Sequence, residues 1–431
     1  MTRSSGLISI LAAAALCFLA ADTSQAQPPP AGQTTTPARA GSRLRVFLDC
    51  DSCFADYLRE EIKWVDFVRQ REDADVHLLS SSQETGGGGR QVVLRFVGVG
   101  RFQGIDHELR SISLSADTED TRRRGVLRTV SVGLLAYLAR EGLPSDIKLA
   151  IEAAESDEPP AGSRDPWNFW VFGVNGSSDI NAEESQRDWS VDFGLSADRV
   201  TERWKMSFGA SFDHSQERFN LDEEDEEPLE VTRRERRVEW FVAKSLGEHW
   251  SAGLDGNVRT STFGNLEVSA TAAPTVEFSV FPYSQYATRQ LRVQYSLGVA
   301  HSSYNEITLF GKLRETLPGH ELSLTLEQRQ PWGTLEARAQ WSQYLHDLSK
   351  YRLEAGGDLS LRLARGLSLN VEGSASRVRD QLSLPLRGAT PEEVLLRLRD
   401  LQSGYEVSFD IGLSYRFGSI FNNIVNPRFG R

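Results

Sequence analysis

From Trp167 to Phe417 apolar and polar residues alternate with a period of two, in segments of about 9–11 residues separated by turns. The last segment, Tyr405–Phe417, is the clearest. Tyr405, Val407, Phe409, Ile411, Leu413, Tyr415 and Phe417 fall on one face, and Glu406, Ser408, Asp410, Gly412, Ser414 and Arg416 on the other. The pattern recurs at Trp170/Phe172/Val174, Trp189/Val191/Phe193/Leu195, Trp204/Met206/Phe208, Val238/Trp240/Val242 and Trp250/Ala252/Leu254. It continues at Val276/Phe278/Val280, Leu291/Val293/Tyr295/Leu297, Leu322/Leu324/Leu326 and Leu335/Ala337/Ala339/Trp341, then Tyr351/Leu353/Leu359/Leu361 and Leu367/Leu369/Val371. About twelve such strands, each apolar on one face only, predict an antiparallel transmembrane β-barrel with the apolar face in lipid and the polar face around a wet interior.

The connections carry an independent signal, because a membrane barrel sorts its loops by side: short turns at one rim, long loops at the other. Thr201-Glu202, Leu246-Gly247-Glu248, Pro331-Trp332-Gly333 and Arg365-Gly366 are short, whereas Glu217–Val231, Ser303–Pro318 and Leu382–Ser403 are long. A soluble β-sandwich has no reason to sort loop length by parity. The short set is therefore placed on the periplasmic side and the long set outside.

Before residue 152 the pattern differs. Leu44–Leu48 reads as a short apolar strand, and Phe54–Val68 has helical spacing through Tyr57, Ile62, Val65 and Phe67. Val76–Ser80, Gln91–Val97 and Ile105–Leu114 read as strands, with Gly86–Gly89 joining the first two. Thr118–Arg140 carries a helical stripe of Val126, Val130, Leu134, Leu135 and Leu138. This order predicts an α+β domain. The expected organisation is a leader over 1–26, a linker over 27–41, the α+β domain over 42–151 and a second linker over 152–166. The barrel then covers 167–417 and a tail 418–431. The fold class is mainly β, an about 12-stranded barrel preceded by a small periplasmic α+β domain.

Composition changes the picture in two places. At 39% hydrophobic residues and a mean hydropathy of -0.38 the chain looks soluble, but alternating strands keep the mean low even when one whole face meets hydrocarbon. No apolar run after residue 26 approaches the roughly 18 residues of a spanning helix. Arg3, the apolar stretch Leu7–Ala21 and Ser24-Gln25-Ala26 have the charge, core and small-residue pattern of an export leader cleaved after Ala26. Cleavage removes Arg3 and Asp22, one charge of each sign, so the net charge of -12 stays and argues against nucleic acid as a partner.

The chemistry-bearing motifs are few. Cys50-Asp-Ser-Cys53 sits between a strand and a helix start, where a redox pair would lie. In an exported chain a structural disulfide is the expected state, with redox cycling as the alternative. Phe54 after Cys53 removes the haem-attachment reading, and no second ligand pair supports zinc. Asp222–Glu227 is a dense acidic run in an outer loop. It is read as solvated charge, with divalent cations bridging lipopolysaccharide as the alternative. Thr390-Pro-Glu-Glu393 is a capping box that predicts a short helix in the last outer loop. His214, His301 and His346, beside Ser215, Ser302/Ser303 and Asp347, are the candidates for hydrolysis, but no serine lies in an elbow motif. The chain is expected not to be an enzyme and to need no cofactor or metal. Lumen charges of both signs, from Asp192 and Lys205 through Asp255, Arg259 and Arg292 to Glu372 and Arg416, leave a plugged interior and an open pore as equal expectations.

Asp410-x-Gly412-x-x-Tyr415-x-Phe417 resembles the carboxy-terminal insertion signal of bacterial outer-membrane barrels. Phe281–Arg292, Arg377–Pro385 and Phe417–Phe429 resemble a family of Gram-negative outer-membrane barrel proteins, and the amino-terminal domain resembles the α+β domain that opens TolB-type periplasmic proteins. The resemblance implies an outer-membrane location with lipid, lipopolysaccharide and the barrel-assembly machinery as partners, and carries no catalytic residue or ligand across. The signal normally ends the chain, yet here Gly418–Arg431 follows it. Phe421, Val425 and Phe429 in that tail are expected to plug the inner mouth or dock on the amino-terminal domain or another periplasmic complex. Two roles follow as expectations: a gated pore for a small solute or lipid, or a non-conducting anchor.

Overall fold

The computed structural model describes residues 43–50, 53–85, 88–141, 165–219, 229–386, 404–419 and 421. The acidic run, the capping box and Val425 and Phe429 lie outside the described residues.

The first unit is an α+β domain. Strands β1 (Leu44–Asp49), β2 (Val65–Val68), β3 (Val76–Glu84), β4 (Arg90–Gly98) and β5 (Asp106–Ser113) form one sheet in the order β2-β1-β3-β4-β5. β1 runs parallel to both β2 and β3, and β3–β4–β5 is an antiparallel meander. Helix α1 (Ala55–Glu61) connects β1 to β2, and α2 (Glu119–Glu141) follows β5. The core gathers Val46, Phe67, Leu78, Leu94 and Phe96 from the sheet with Leu58, Val130, Leu134 and Tyr137 from the helices. The helical reading of Phe54–Val68 is corrected here. Only Ala55–Glu61 is helical, and Val65–Val68 is an edge strand whose Val65 and Phe67 are buried against β1. A four-residue strand shows too little alternation to be told from the end of a helix.

The second unit is a twelve-stranded antiparallel sheet in simple chain order, from β6 (Trp170–Ala182) to β17 (Tyr405–Tyr415). Its middle members are β7 (Gln186–Val200), β8 (Trp204–Phe219), β9 (Leu229–Ser245), β10 (Trp250–Ser261) and β11 (Leu266–Ser279). They continue through β12 (Arg289–Tyr304), β13 (Arg314–Gln330), β14 (Gly333–Tyr344), β15 (Tyr351–Ala364) and β16 (Leu367–Val378). This is the up-and-down order of a membrane β-barrel. Among the described residues the ladders run from β6 to β17, and none joins those two end strands.

Register puts the apolar set on one face throughout. Trp250 opposes Phe278, Val293 opposes Leu324, Leu322 opposes Trp341 and Val371 opposes Ile411. These side chains are left uncovered: Val174 is 72% exposed, Phe193 45%, Leu297 49% and Ile411 67%. An apolar surface of that extent on every strand is incompatible with water and matches a hydrocarbon solvent. Aromatic contacts form two bands. Trp170 with Phe208 (6.0 Å) and Trp250 with Phe278 (4.7 Å) lie toward the end that bears the short turns. Trp189 with His214 (4.9 Å) and His320 with Trp341 (4.9 Å) lie toward the other. Along β8, Trp204 and His214 stand ten positions apart. At about 3.3 Å per residue and a tilt near 40° that separation projects onto roughly 25 Å, the height of an outer-membrane apolar band.

Candidate functional site: the lumen and its two ends

The polar face of the sheet is concave. Asn265, in the β10–β11 loop, donates to the Ser383 carbonyl five residues beyond β16 (2.8 Å), although on a flat sheet β10 and β16 would stand about 29 Å apart. A cavity of about 790 Å³ opens on the β13–β17 wall, lined by Glu327, Glu336, Arg338, Arg352, Asp358 and Glu372 among others. The lumen charges read from alternation sit on this face.

Register adds something alternation alone does not give. Glu327, Glu336, Asp358, Glu372 and Asp410 are successive direct partners across β13, β14, β15, β16 and β17. A second row, Asp192, Asp213 and Glu235, crosses β7, β8 and β9. Like charges directly opposite one another destabilise a sheet. Arginines relieve part of this: Arg292 meets Glu327 at 3.5 Å, Arg329 meets Glu336 at 3.1 Å, and Arg259 and Arg237 meet Glu235 at 2.8 and 2.7 Å.

At one end the α+β domain is seated on the short turns. Arg362, near the end of β15, reaches out of the barrel to Asp49 Oδ1 and donates to the Pro331 carbonyl (3.2 Å). The other oxygen of Asp49 is held by His77 Nε2 at 2.8 Å. Phe47 lies between them, its ring 5.0 Å from the His77 ring and 5.5 Å from the Arg362 guanidinium. Arg365 of the next turn donates to both oxygens of Asp73 (2.9 and 2.7 Å), and Gln70 donates to the Arg416 carbonyl (3.3 Å). On the far side of the same rim, the Gln91 amide donates to the Tyr286 hydroxyl in the β11–β12 turn. These contacts take the domain from the β11–β12 turn to the end of β17, so it lies over that opening.

His77 is fully buried, and burial holds its imidazole below the ordinary value although Asp49 pulls upward. Its Nδ1 has no partner, so a second ring proton would have nowhere to go. For Asp49, burial pushes up, but the His77 hydrogen bond and the Arg362 charge outweigh it and the carboxyl is held low. The group is thus a neutral imidazole donating to a carboxylate that faces an arginine.

Cys50 and Cys53 are joined as a disulfide directly after Asp49, with Cys53 fully buried in the domain core. In β17, Asp410 and Gly412 fall on the polar face, while Tyr415 stacks with Phe417 at 5.4 Å. Phe421 forms an antiparallel bridge with Val68 on the edge strand β2, so this part of the tail meets the α+β domain. The three candidate histidines are engaged separately. His214 lies tilted against Trp189 at 4.9 Å, His301 bonds Thr316 Oγ1 (2.7 Å), and His346 stands 5.8 Å from the Tyr344 ring. Among the described residues none shares a hydrogen bond with a serine hydroxyl, and His214 and His301 occupy the apolar face.

Sequence reasoning did not single out Asp213 and Glu235, although strand parity would have found both. Asp49, Asp73 and His77 had no sequence signal, since their partners are remote in the chain.

No protein-family model matches the chain, and no curated protein sequence matches it. Solved structures similar to it include the NanC porin in a rhombohedral crystal form, at 9% identity and a TM-score of 0.27 over 57% of this chain and 98% of that one. Another is the translocator domain of the autotransporter NalP from Neisseria meningitidis, at 13% identity and a TM-score of 0.19 over 57% and 87%. Scores this low add nothing to the ladders, faces and aromatic bands on which the fold rests.

Proposed function

We propose that this chain is an outer-membrane β-barrel that forms a gated passage for a small solute, with its α+β domain in the periplasm, seated against the inner mouth. The leader over 1–26 exports it, and the barrel-assembly machinery inserts it by way of Asp410, Gly412, Tyr415 and Phe417. The observation that carries the reading is a charged cavity of about 790 Å³ behind a sheet whose other face is apolar. Outer-membrane barrels have polar interiors whether open or plugged, and unfilled space of this size on that face is what favours passage.

A second reading, a non-conducting anchor that holds the domain at the membrane for a periplasmic complex, is favoured by the domain's contacts across the inner rim. We assign no catalytic role in either case. Fractionation with heat-modifiable gel mobility tests the common premise, and conductance in planar bilayers separates the two. Steady channels whose conductance scales with salt support passage, and a folded but silent barrel supports the anchor.

A further inference from the structure

The end of the sheet away from the α+β domain is crossed by its own chain. After β16, residues Asp380–Leu386 leave the rim and run to the β12–β13 and β10–β11 loops. There Thr308 and Pro385 form an antiparallel bridge, Leu309 N–H donates to the Leu384 carbonyl (2.8 Å), and Leu386 N–H donates to the Ile307 carbonyl (2.7 Å). In a twelve-strand meander β16 and β10 stand half a circumference apart, so this segment is a chord across the opening.

Two side chains hold it. Asn265, in the β10–β11 loop, donates through Nδ2 to the Ser383 carbonyl (2.8 Å) and the Glu306 carbonyl (3.1 Å), and its Oδ1 accepts from Glu306 N–H (2.8 Å). Arg352 on β15 donates through Nε to both oxygens of Asp380 (3.0 and 3.2 Å). Below the strap the lumen changes character. Tyr304 and Leu317, inward by parity on β12 and β13, are buried at this end, as are Leu382 and Leu384 of the strap. An otherwise charged interior thus ends in a buried layer in which these side chains sit with Ser261, Asn265 and Thr308, also buried, and a layer that excludes water blocks ions.

We propose that Asp380–Leu386 is the outer gate of the barrel, held shut by Asn265 and Arg352 and opened by release of those two clamps. This rests on the passage reading for its purpose. A fixed plug would be laced into the strand ladders, whereas Ile307, Thr308, Leu309 and Asn265, which bond this segment, belong to loops, and Arg352 holds it through a side chain. Opening therefore leaves the ladders intact.

The test places a reporter in the lumen. Ser374 lines the cavity, with its hydroxyl 2.7 Å from that of Ser408. A Ser374→Cys protein, inserted into lipid vesicles so that the seam is closed, is reacted from outside with a bulky polymer-linked maleimide, alone and combined with Asn265→Ala or Asp380→Asn. Both variants are first shown to keep heat-modifiable mobility, and Asp380→Asn serves should Asn265→Ala fail to fold. Gate release is expected to raise the labelling rate at least tenfold in either variant. Equal rates in folded strap variants and parent would overturn the gate. Conductance of the same proteins judges the passage separately. Strap-dependent labelling in a silent barrel keeps the gate and overturns passage, and strap-independent labelling in a conducting barrel does the reverse.

Discussion

At the scale of single residues, the junction between domain and barrel turns on Arg362, Asp49 and His77. Asp49 accepts from both sides, so removing Arg362 leaves a mostly buried carboxylate with one partner instead of two. Arg362→Ala is expected to weaken docking by about 1.5–3 kcal/mol, the scale of a hydrogen bond to a charged group. Hydrogen exchange over Phe47–Asp49 and over the Arg365–Gly366 turn should then speed up together; unchanged exchange in both would show that Arg362 does not seat the domain. His77 gives a pH signature of definite sign. Its folded pKa lies below the unfolded value of 6.5, so the unfolded chain binds the extra proton and the stabilisation is present above about 6.5 and lost below it. Asp49, also depressed, adds stability above its unfolded value of 3.8 that is lost on further acidification. The denaturant midpoint of the α+β domain, followed by hydrogen exchange, should fall as pH drops below about 6.5 and should lose that dependence in His77→Gln.

At the scale of elements, α2 packs on the sheet through a point of closest approach at Gly133. A Cβ there would meet the buried Phe96 ring at 2.1–2.5 Å, and that ring is fixed by stacking on His107 at 4.7 Å. Gly133→Ala is therefore expected to destabilise the α+β domain by about 1–3 kcal/mol, read as a lower denaturant midpoint. The stripe that marks α2 was legible from Val126, Val130 and Leu134, but the need for a glycine was not, because it depends on a strand that lies across the helix in space. The same division runs through the molecule. Strands of the large sheet announce themselves because one face meets lipid and each residue's side is fixed by parity, whereas β2 is short and pairs in parallel with a strand reached only through α1. The strap was invisible for a related reason: Asn265 and Ser383 are 118 positions apart, and nothing local in either segment calls for the other. The carboxylate row was half legible, its members but not their register. If the lumen conducts, that row is expected to make it cation-selective, since opposed carboxylates repel anions along the β13–β17 wall. A reversal potential in a potassium chloride gradient should report potassium over chloride, and Glu372→Gln with Asp410→Asn should cut that preference several-fold. An anion-selective parent would show that the lumen arginines dominate instead.

For the whole molecule the decisive question is the seam between β6 and β17. Among the described residues no ladder covers the outer edge of either strand, and in hydrocarbon every unsatisfied backbone group costs several kcal/mol. Such edges are tolerable in water and not in a bilayer. The two strands are prepared for each other. β6 runs away from the α+β domain and β17 runs back toward it, so they would pair antiparallel. Phe172 and Val174 on one and Phe409, Ile411 and Leu413 on the other are all strongly exposed. Pairing would put these on one outer face and bring Asp410 beside the polar side of β6, which carries Asn175, Ser177 and Asp179. Membrane insertion is therefore expected to close the seam. Val174→Cys combined in turn with Phe409→Cys, Ile411→Cys and Leu413→Cys should yield one efficient cross-link after insertion into lipid and none in urea. The cross-linked position fixes the register, and hence the shear and width of the closed barrel. If no position cross-links in lipid while heat-modifiable mobility is retained, the two edges are held by something other than each other, and a second copy of the chain paired edge to edge becomes the arrangement that satisfies them.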